Sequence, residues 1–473
     1  MIELLIPGAL LAAVWSAVAI QRGWMGWRWL DSPAIGAALV ILVGSVFGRD
    51  FFCVNIGPFP VTLDRVLWGV LMLLLIALAA ARRIQLLPLS RLDVLVFCLA
   101  ALLTLSTVTH DFRYRDNLPL TRLLFFNLMP LGLYLAARHG PVSERDLRRI
   151  LMGAIVFAAY LAVTGIAEWR DWSALVFPRY IMGSTVVEFL GRARGPFLNP
   201  VPCGIFQIVG AIAAIGLWPS TGPRGRCVLG LLLVLFAAGI GVTFTRSVWV
   251  SFALCGGLSL WCLASIRLRG VYLAGAAVGG MLFVTMFASQ FVSFKRDKFV
   301  TEAEMAESAQ LRPLLAEIAV QMCLDRPVFG HGFGQYTKAK RLYHQANSTS
   351  PLKKVLPYMQ HNVFLSYLTE TGIVGGLLLS GLLAGFLAEI RRLWRISAAG
   401  SVQRATALVG LAVVVCYAVN GMFHDVSIIP MIGSLFYFFM GLTSHLARIS
   451  PRIAAAAFPA QAESTTPARR LAS

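Results

Sequence analysis

Charge is scarce in this sequence. Only 13% of its 473 residues are Asp, Glu, Lys or Arg, against about 25% in soluble globular chains. Acids are the scarcer sign, 22 against 41 Lys and Arg. All six lysines (Lys295, Lys298, Lys338, Lys340, Lys353 and Lys354) fall in one stretch late in the chain. The eight cysteines show no CxxC and no Cys/His spacing of a metal site, and most lie inside apolar runs, so neither a bound metal nor a structural disulfide is expected. No cofactor motif is present either: Gly330-His331-Gly332-Phe-Gly334 lacks the spacing of a dinucleotide or Walker loop, and its glycines read as a tight bend. There is no internal repeat of 20–50 residues and no evident acidic pair, Asp111 and Asp425 being the nearest candidates. These absences exclude a soluble domain, a disordered chain, a collagen and a disulfide scaffold.

What is abundant is hydrocarbon. The chain is 58% hydrophobic with a mean hydropathy of +0.74. Runs long enough to cross a bilayer lie near 2–21, 33–48, 60–81, 91–109, 119–137, 147–168, 200–218, 227–243, 247–266, 271–290, 362–390, 404–423 and 428–447. The fold class is therefore an all-α polytopic membrane protein of 12 or 13 transmembrane helices. The first run follows Met1-Ile2-Glu3, with no positive residue ahead of it, and reads as a retained helix and not a cleaved signal. A net charge of +19 would suggest nucleic acid in a soluble protein. Here the arginines sit between apolar runs in alternate loops, where they orient the helices and imply no nucleic-acid partner. The charge rule puts the arginine-rich loops and the C-terminus in the cytoplasm, and 169–199 and 291–361 on the outer face.

Five regions follow: 1–168, N-terminal transmembrane helices; 169–290, central helices with the Arg-rich outer segment 169–199; 291–361, a polar outer segment; 362–447, C-terminal helices; and 448–473, a cytoplasmic tail expected to be disordered. Within the outer segment, 301–324 reads as an amphipathic helix. Residues 326–361 hold Arg326, Lys338, Lys340, Arg341, Lys353 and Lys354 and no acid. Such an unopposed basic surface suits an anionic ligand or lipid headgroups.

Three outer-face sites can carry chemistry. His361 begins the stretch His361-Asn362-Val-Phe-Leu-Ser-Tyr-Leu-Thr-Glu370-Thr-Gly372-Ile-Val-Gly375-Gly376, immediately before an apolar run. A helix N-terminus disfavours imidazolium, and a neutral imidazole can take a proton from a hydroxyl. Asn362 could orient that ring or a sugar, although His361 could simply be a capping residue at an interface. The three glycines would allow close helix contact. Arg246, in Thr243-Phe-Thr-Arg246-Ser-Val-Trp249, lies between two apolar runs with almost no polar loop. A membrane-edge arginine is costly without an anionic partner, unless it snorkels. Arg192 and Arg194, in Gly191-Arg192-Ala-Arg194-Gly195-Pro-Phe-Leu-Asn199-Pro200, precede a span; guanidinium pairs with phosphate bidentately, although the same residues could anchor a helix end. His331 or Tyr336 could face a glycan, and Lys338 is a further supporting candidate.

Together these features resemble the O-antigen ligase and polymerase superfamily of bacterial envelope proteins. The resemblance rests on about twelve spans with one large late outer segment and on four motifs. These are His361-Asn362 followed by nine residues and Gly372-Ile-Val-Gly375, Arg246 in a T-R-S-x-W context, Arg194 in an R-G-x-F-x-N-P context, and Arg326-Pro327-Val-Phe-Gly330-His-Gly332. It covers roughly residues 190–380. It implies a C-type glycosyltransferase-like architecture in the bacterial inner membrane with its active site on the periplasmic face. The implied donor is an undecaprenyl-diphosphate-linked glycan, and the acceptor a glycan hydroxyl on lipid A–core or on a growing polysaccharide. Neither metal nor other cofactor is implied. His361 would be the catalytic residue, and Arg194 and Arg246 would bind the donor diphosphate. An exopolysaccharide polymerase of the same superfamily and a lipid-linked glycan flippase are the alternatives. A flippase would need charge facing a central cavity accessible from both sides, whereas these candidates cluster at the outer edge.

Overall fold

In a bilayer every backbone N–H and C=O must find its partner within the protein, and a single apolar segment can do so only as a helix. The structure, a computed structural model, describes residues 32–56, 59–84, 86–113, 119–183, 189–265, 269–270, 302–345 and 359–457. The expected spans 2–21 and 271–290, most of the tail, and Lys295, Lys298, Lys353 and Lys354 lie outside them.

The helices are α1 (Pro33–Val46), α2 (Leu63–Ala80), α3 (Arg91–Val108), α4 (Pro119–His139), α5 (Glu144–Trp169), α6 (Pro200–Leu217), α7 (Pro223–Gly241), α8 (Arg246–Leu263), α9 (Glu302–Asp325), α10 (Tyr336–Gln345), α11 (Val363–Ile396), α12 (Val402–Gly421) and α13 (Pro430–Ala457). A short antiparallel hairpin, β1 (Val54–Ile56) with β2 (Phe59–Val61), joins α1 to α2. Among the described residues nine helices are long and apolar enough to cross a membrane, which makes this a largely helical, multi-pass membrane protein. The expected span 33–48 is shorter than anticipated: α1 has 14 residues, about 21 Å of helix against a hydrocarbon core of ~30 Å.

Between helices in lipid, close packing and buried polar bonds replace the hydrophobic drive that operates in water. α6 is the central helix and is buried along nearly its whole length between α5, α7, α8 and α12. Gly210 lets it approach α5 so closely that a Cβ there would sit 2.2 Å from that of Ala158. At the arginine-rich end, Ser90 with Asp93 and Ser143 with Asp146 form capping boxes that start α3 and α5. There Arg138 donates from Nε and Nη2 to the two oxygens of Asp93, each at 3.2 Å, and the Tyr134 hydroxyl donates to the same carboxylate. This ties α4 to the start of α3.

α11 is two helices in line. Gly372 has φ +65° and ψ −164°, and there the helical hydrogen bonds stop. The carbonyls of Thr369 and Glu370 would ordinarily accept from residues 373 and 374. Instead they accept from His331 and Gly332 at 2.9 and 3.0 Å, while the Ile373 and Val374 amides donate to Pro327 and Val328 at 2.8 and 3.3 Å. The glycine loop thus fills the break and satisfies it. Gly372 was expected to serve helix contact; it serves this break, where a Cβ would lie 2.2 Å from the Val328 oxygen. The glycines at 330, 332 and 334 all have positive φ, as the expected bend requires.

Gly372→Ala should therefore cost at least about 1–3 kcal/mol and lower the unfolding midpoint in detergent. Gly69→Ala, where an added Cβ meets nothing within 4 Å, should leave it unchanged or slightly raised.

Candidate functional site

The stretch before α6 is a turn and not an open anion cradle. α5 carries its apolar face as far as Glu168, a buried carboxylate one residue from the helix end. Glu168 accepts from Arg194 Nε and from the Arg194 and Gly195 amides, each at 2.8 Å. Arg194 Nη2 donates to the Ile181 carbonyl at 3.1 Å, and the side chain is 2% exposed. Gly195 and Leu198 adopt positive φ, after which Asn199 caps α6 through the Val201 amide at 2.9 Å. Arg194 was expected as a ligand for a donor phosphate. Its charge is instead matched within the folded chain, because a buried guanidinium beside lipid requires a counter-charge. Arg192 is also buried, its guanidinium 5.2 Å from the Phe189 ring centroid.

Arg246 is the first helical residue of α8. Thr245 is its cap, and Phe244 turns the chain with φ +46°. The Trp249 indole donates to the Ile240 carbonyl at 3.0 Å and closes the turn from α7. The Ala193 amide donates to the Val242 carbonyl at 2.9 Å. This backbone bond sets the segment holding Arg192 and Arg194 against the one that leads into Arg246. Arg246 is half-buried.

His361 precedes the cap of α11, with φ +50° and half-buried. Asn362 was expected to orient the imidazole or a sugar, but its side chain is committed to structure. Its Oδ1 accepts from the Phe364 and Leu365 amides at 2.9 and 3.1 Å, and its Nδ2 donates to the Met422 carbonyl at 3.1 Å. Two residues earlier on α12, Asn420 Nδ2 donates to Ser251 Oγ of α8 at 2.9 Å. The end of α12 therefore bridges the start of α8, which bears Arg246, and the start of α11, which follows His361. By these contacts the segments of all three expected residues occupy the same end of the bundle.

The segment expected on the outer face is more buried than its composition suggests. Leu315, Ile318 and Met322 of α9 pack with Tyr336 in a small core of their own. Tyr336 is fully buried, which raises its hydroxyl pKa, so it does not stand open to a glycan. His331 is 8% exposed, with Nε2 3.1 Å from both the Met322 carbonyl and the Tyr343 hydroxyl. Burial lowers its pKa. Lys338 Nζ pairs with Asp111 at 3.0 Å, and Lys340 is buried over the Tyr336 ring, where desolvation lowers its pKa to about 8. The surface read as unopposed and basic thus has one lysine opposed and another buried.

A further buried pair had no role in the sequence reading: Arg122 Nη1 lies 3.0 Å from Glu370 Oε1, with Phe333 under the guanidinium at 4.8 Å. It pins the glycine loop and the first half of α11 to α4, where a π-helical turn, Leu123–Leu128, follows Arg122. Asp425 is buried nearby, and its Oδ1 accepts from the Ser427 amide at 3.1 Å. The available signal was that Glu168, Glu370 and Arg122 each interrupt or end an apolar run. Among the described residues no group of three or more His, Cys, Asp or Glu is placed to hold a metal ion.

Two consequences are measurable. Glu168→Ala strands the Arg194 charge and should cost about 3–5 kcal/mol, read as a large fall in thermal midpoint in detergent. Asp111→Asn, which removes an exposed pair, should leave the midpoint unchanged. Because the folded pKa of His331 is lowered, the unfolded chain binds the proton first as pH falls. Stability from this group is full above about pH 6.5 and is lost below it. Measured relative to the intrinsic amide rate, which itself slows as pH falls, the hydrogen-exchange protection of peptides from 326–345 should drop between pH 7.5 and 5.5, and His331→Gln should flatten that dependence.

No curated protein matches the chain. Residues 231–380, about a third of the sequence, match a family model described as O-antigen ligase. The matched stretch contains Arg246, His331, Tyr336, Lys338, His361, Asn362 and the Gly372 break, and leaves out Arg192 and Arg194. Over that part of its length, the chain is associated with the O-antigen ligase family.

Proposed function

We propose that the protein is a membrane glycosyltransferase of C-type architecture, acting at the periplasmic face of the bacterial inner membrane. It moves a glycan from undecaprenyl diphosphate to an acceptor hydroxyl. The observation that carries this reading is that the end of α12 ties the start of α11, which follows His361, to α8, which begins at Arg246, both residues lying inside the family-matched stretch. In the reaction the acceptor oxygen attacks the anomeric carbon, and the bond from that carbon to the diphosphate oxygen breaks. The acceptor proton passes to the His361 imidazole, and negative charge grows on the leaving diphosphate. Arg246 stabilises that charge at the membrane edge, where low dielectric strengthens the interaction. No metal is needed in this scheme, since fixed guanidinium supplies the positive charge.

Arg194, neutralised by Glu168, holds the turn that packs beside Arg246 and contributes to donor binding through that placement. Arg192 adds positive charge on the same turn. His331, Tyr336 and Lys338 shape the outer segment over the site. Placement of the basic residues at one end of the helices favours transfer over flipping, which needs charge along a cavity open to both sides. Lipid A–core sugar is the acceptor for a ligase, and a lipid-linked repeat is the acceptor for a polymerase.

The test is transfer from purified undecaprenyl-diphosphate glycan in liposomes, with the two acceptors supplied separately. His361→Ala should lower turnover by about 10²–10⁴ and Arg246→Ala by about 10²–10³, with the protein still inserted and folded. Wild-type turnover in both variants overturns the reading.

A further inference from the structure

At the arginine-rich end, away from His361, an apolar groove of about 420 Å³ lies between α1, α5, α6 and α13. That volume falls within the range of small-ligand cavities, ~300–1,000 Å³. Leu39 and Leu42 of α1, Phe157 of α5, Phe206 of α6 and Phe438 of α13 form its walls. Gly153 opens its side: among the described residues, an added Cβ there would meet nothing within 4 Å. Among the described residues, Arg149 is the single charged one lining it. From Arg149 to Phe157 along α5 is about 12 Å, close to the depth of one leaflet of a ~30 Å core. The groove is therefore apolar in the bilayer and cationic at one end only.

That end belongs to the face the charge rule places in the cytoplasm. Arg145 stands one turn from Arg149 on the same face of α5, and the N-terminus of α5 adds its partial positive charge. Arg149 pairs with Asp146 at 3.3 Å, but its side chain is 64% exposed. Such an exposed ion pair is weak and yields to a phosphate, which guanidinium binds bidentately. Glu144, in the same turn, accepts from Gln403 at 2.8 Å.

We infer that this groove binds an anionic glycerophospholipid of the cytoplasmic leaflet, with one acyl chain along α5 and the phosphate at Arg149. A lipid with its phosphate at the outer rim would leave the cationic end unmatched. The inference is independent of the glycan-transfer reading, since none of its residues belongs to that site.

The experiment is native mass spectrometry of the full chain in detergent, titrated with phosphatidylglycerol or phosphatidylethanolamine of the same acyl chains. The wild type should retain phosphatidylglycerol at least threefold better. Gly153→Leu, which fills the groove, should lose retention of both lipids. Arg149→Ala should keep chain binding and lose the headgroup preference. Equal retention of the two lipids by the wild type, or unchanged retention by Gly153→Leu in a chain with wild-type thermal midpoint, overturns the inference. Co-purification of a polyprenyl phosphate that Gly153→Leu abolishes would reassign the groove and overturn it as well. So would a disulfide trapped between Leu39→Cys and a cysteine placed in 2–21.

Discussion

A guanidinium that leaves water for the edge of a bilayer must bring its counter-charge with it, because no solvent remains to stabilise it alone. Three pairs in this protein obey that constraint: Arg194 with Glu168, Arg122 with Glu370, and Arg138 with Asp93. Each joins segments that the helices alone would leave apart. The first fixes the turn before α6 to the end of α5, the second fixes the first half of α11 to α4, and the third locks α3 to α4 at the opposite end. Hydrophobic burial cannot supply such specificity here, since lipid is as apolar as leucine.

The same demand for satisfied polar groups explains α11. A helix broken at Gly372 in apolar surroundings would expose two carbonyls and two amides, and the loop from Pro327 to Gly332 supplies a partner for each. The loop from Pro327 to Gly332 is thereby built into the helix bundle. His361 sits at the top of the half-helix that this loop supports, with Glu370 at its base held by Arg122. Its position thus depends on residues from α4, the glycine loop and α12 together.

Much of this was legible in the linear pattern. Eleven of the 13 apolar runs fall on helices of the described chain, because length and hydropathy are local properties. The glycine bend at 330–334 and the start of a helix just after His361 were likewise local signals. Asn362 was misread because an amide side chain before an apolar run suits a ligand as well as a cap. Its bond to Met422 decides between them and is 60 residues away in sequence. Lys338 and Lys340 were misread because composition counts charges without their partners or their burial.

The sequence by itself determined that the chain is a multi-pass helical membrane protein, that a helix starts just after His361, and the association of residues 231–380 with the O-antigen ligase family. Hydropathy, arginine distribution and motif spacing are each carried by neighbouring residues. Only the tertiary structure decided which arginines are already neutralised, which glycines break helices, and that the segments of Arg194, Arg246 and His361 meet at one end. Those outcomes depend on contacts across up to 248 residues, such as Arg122 with Glu370. A pairing at that separation leaves no trace in local pattern, because either partner alone reads as an isolated charge in an apolar run.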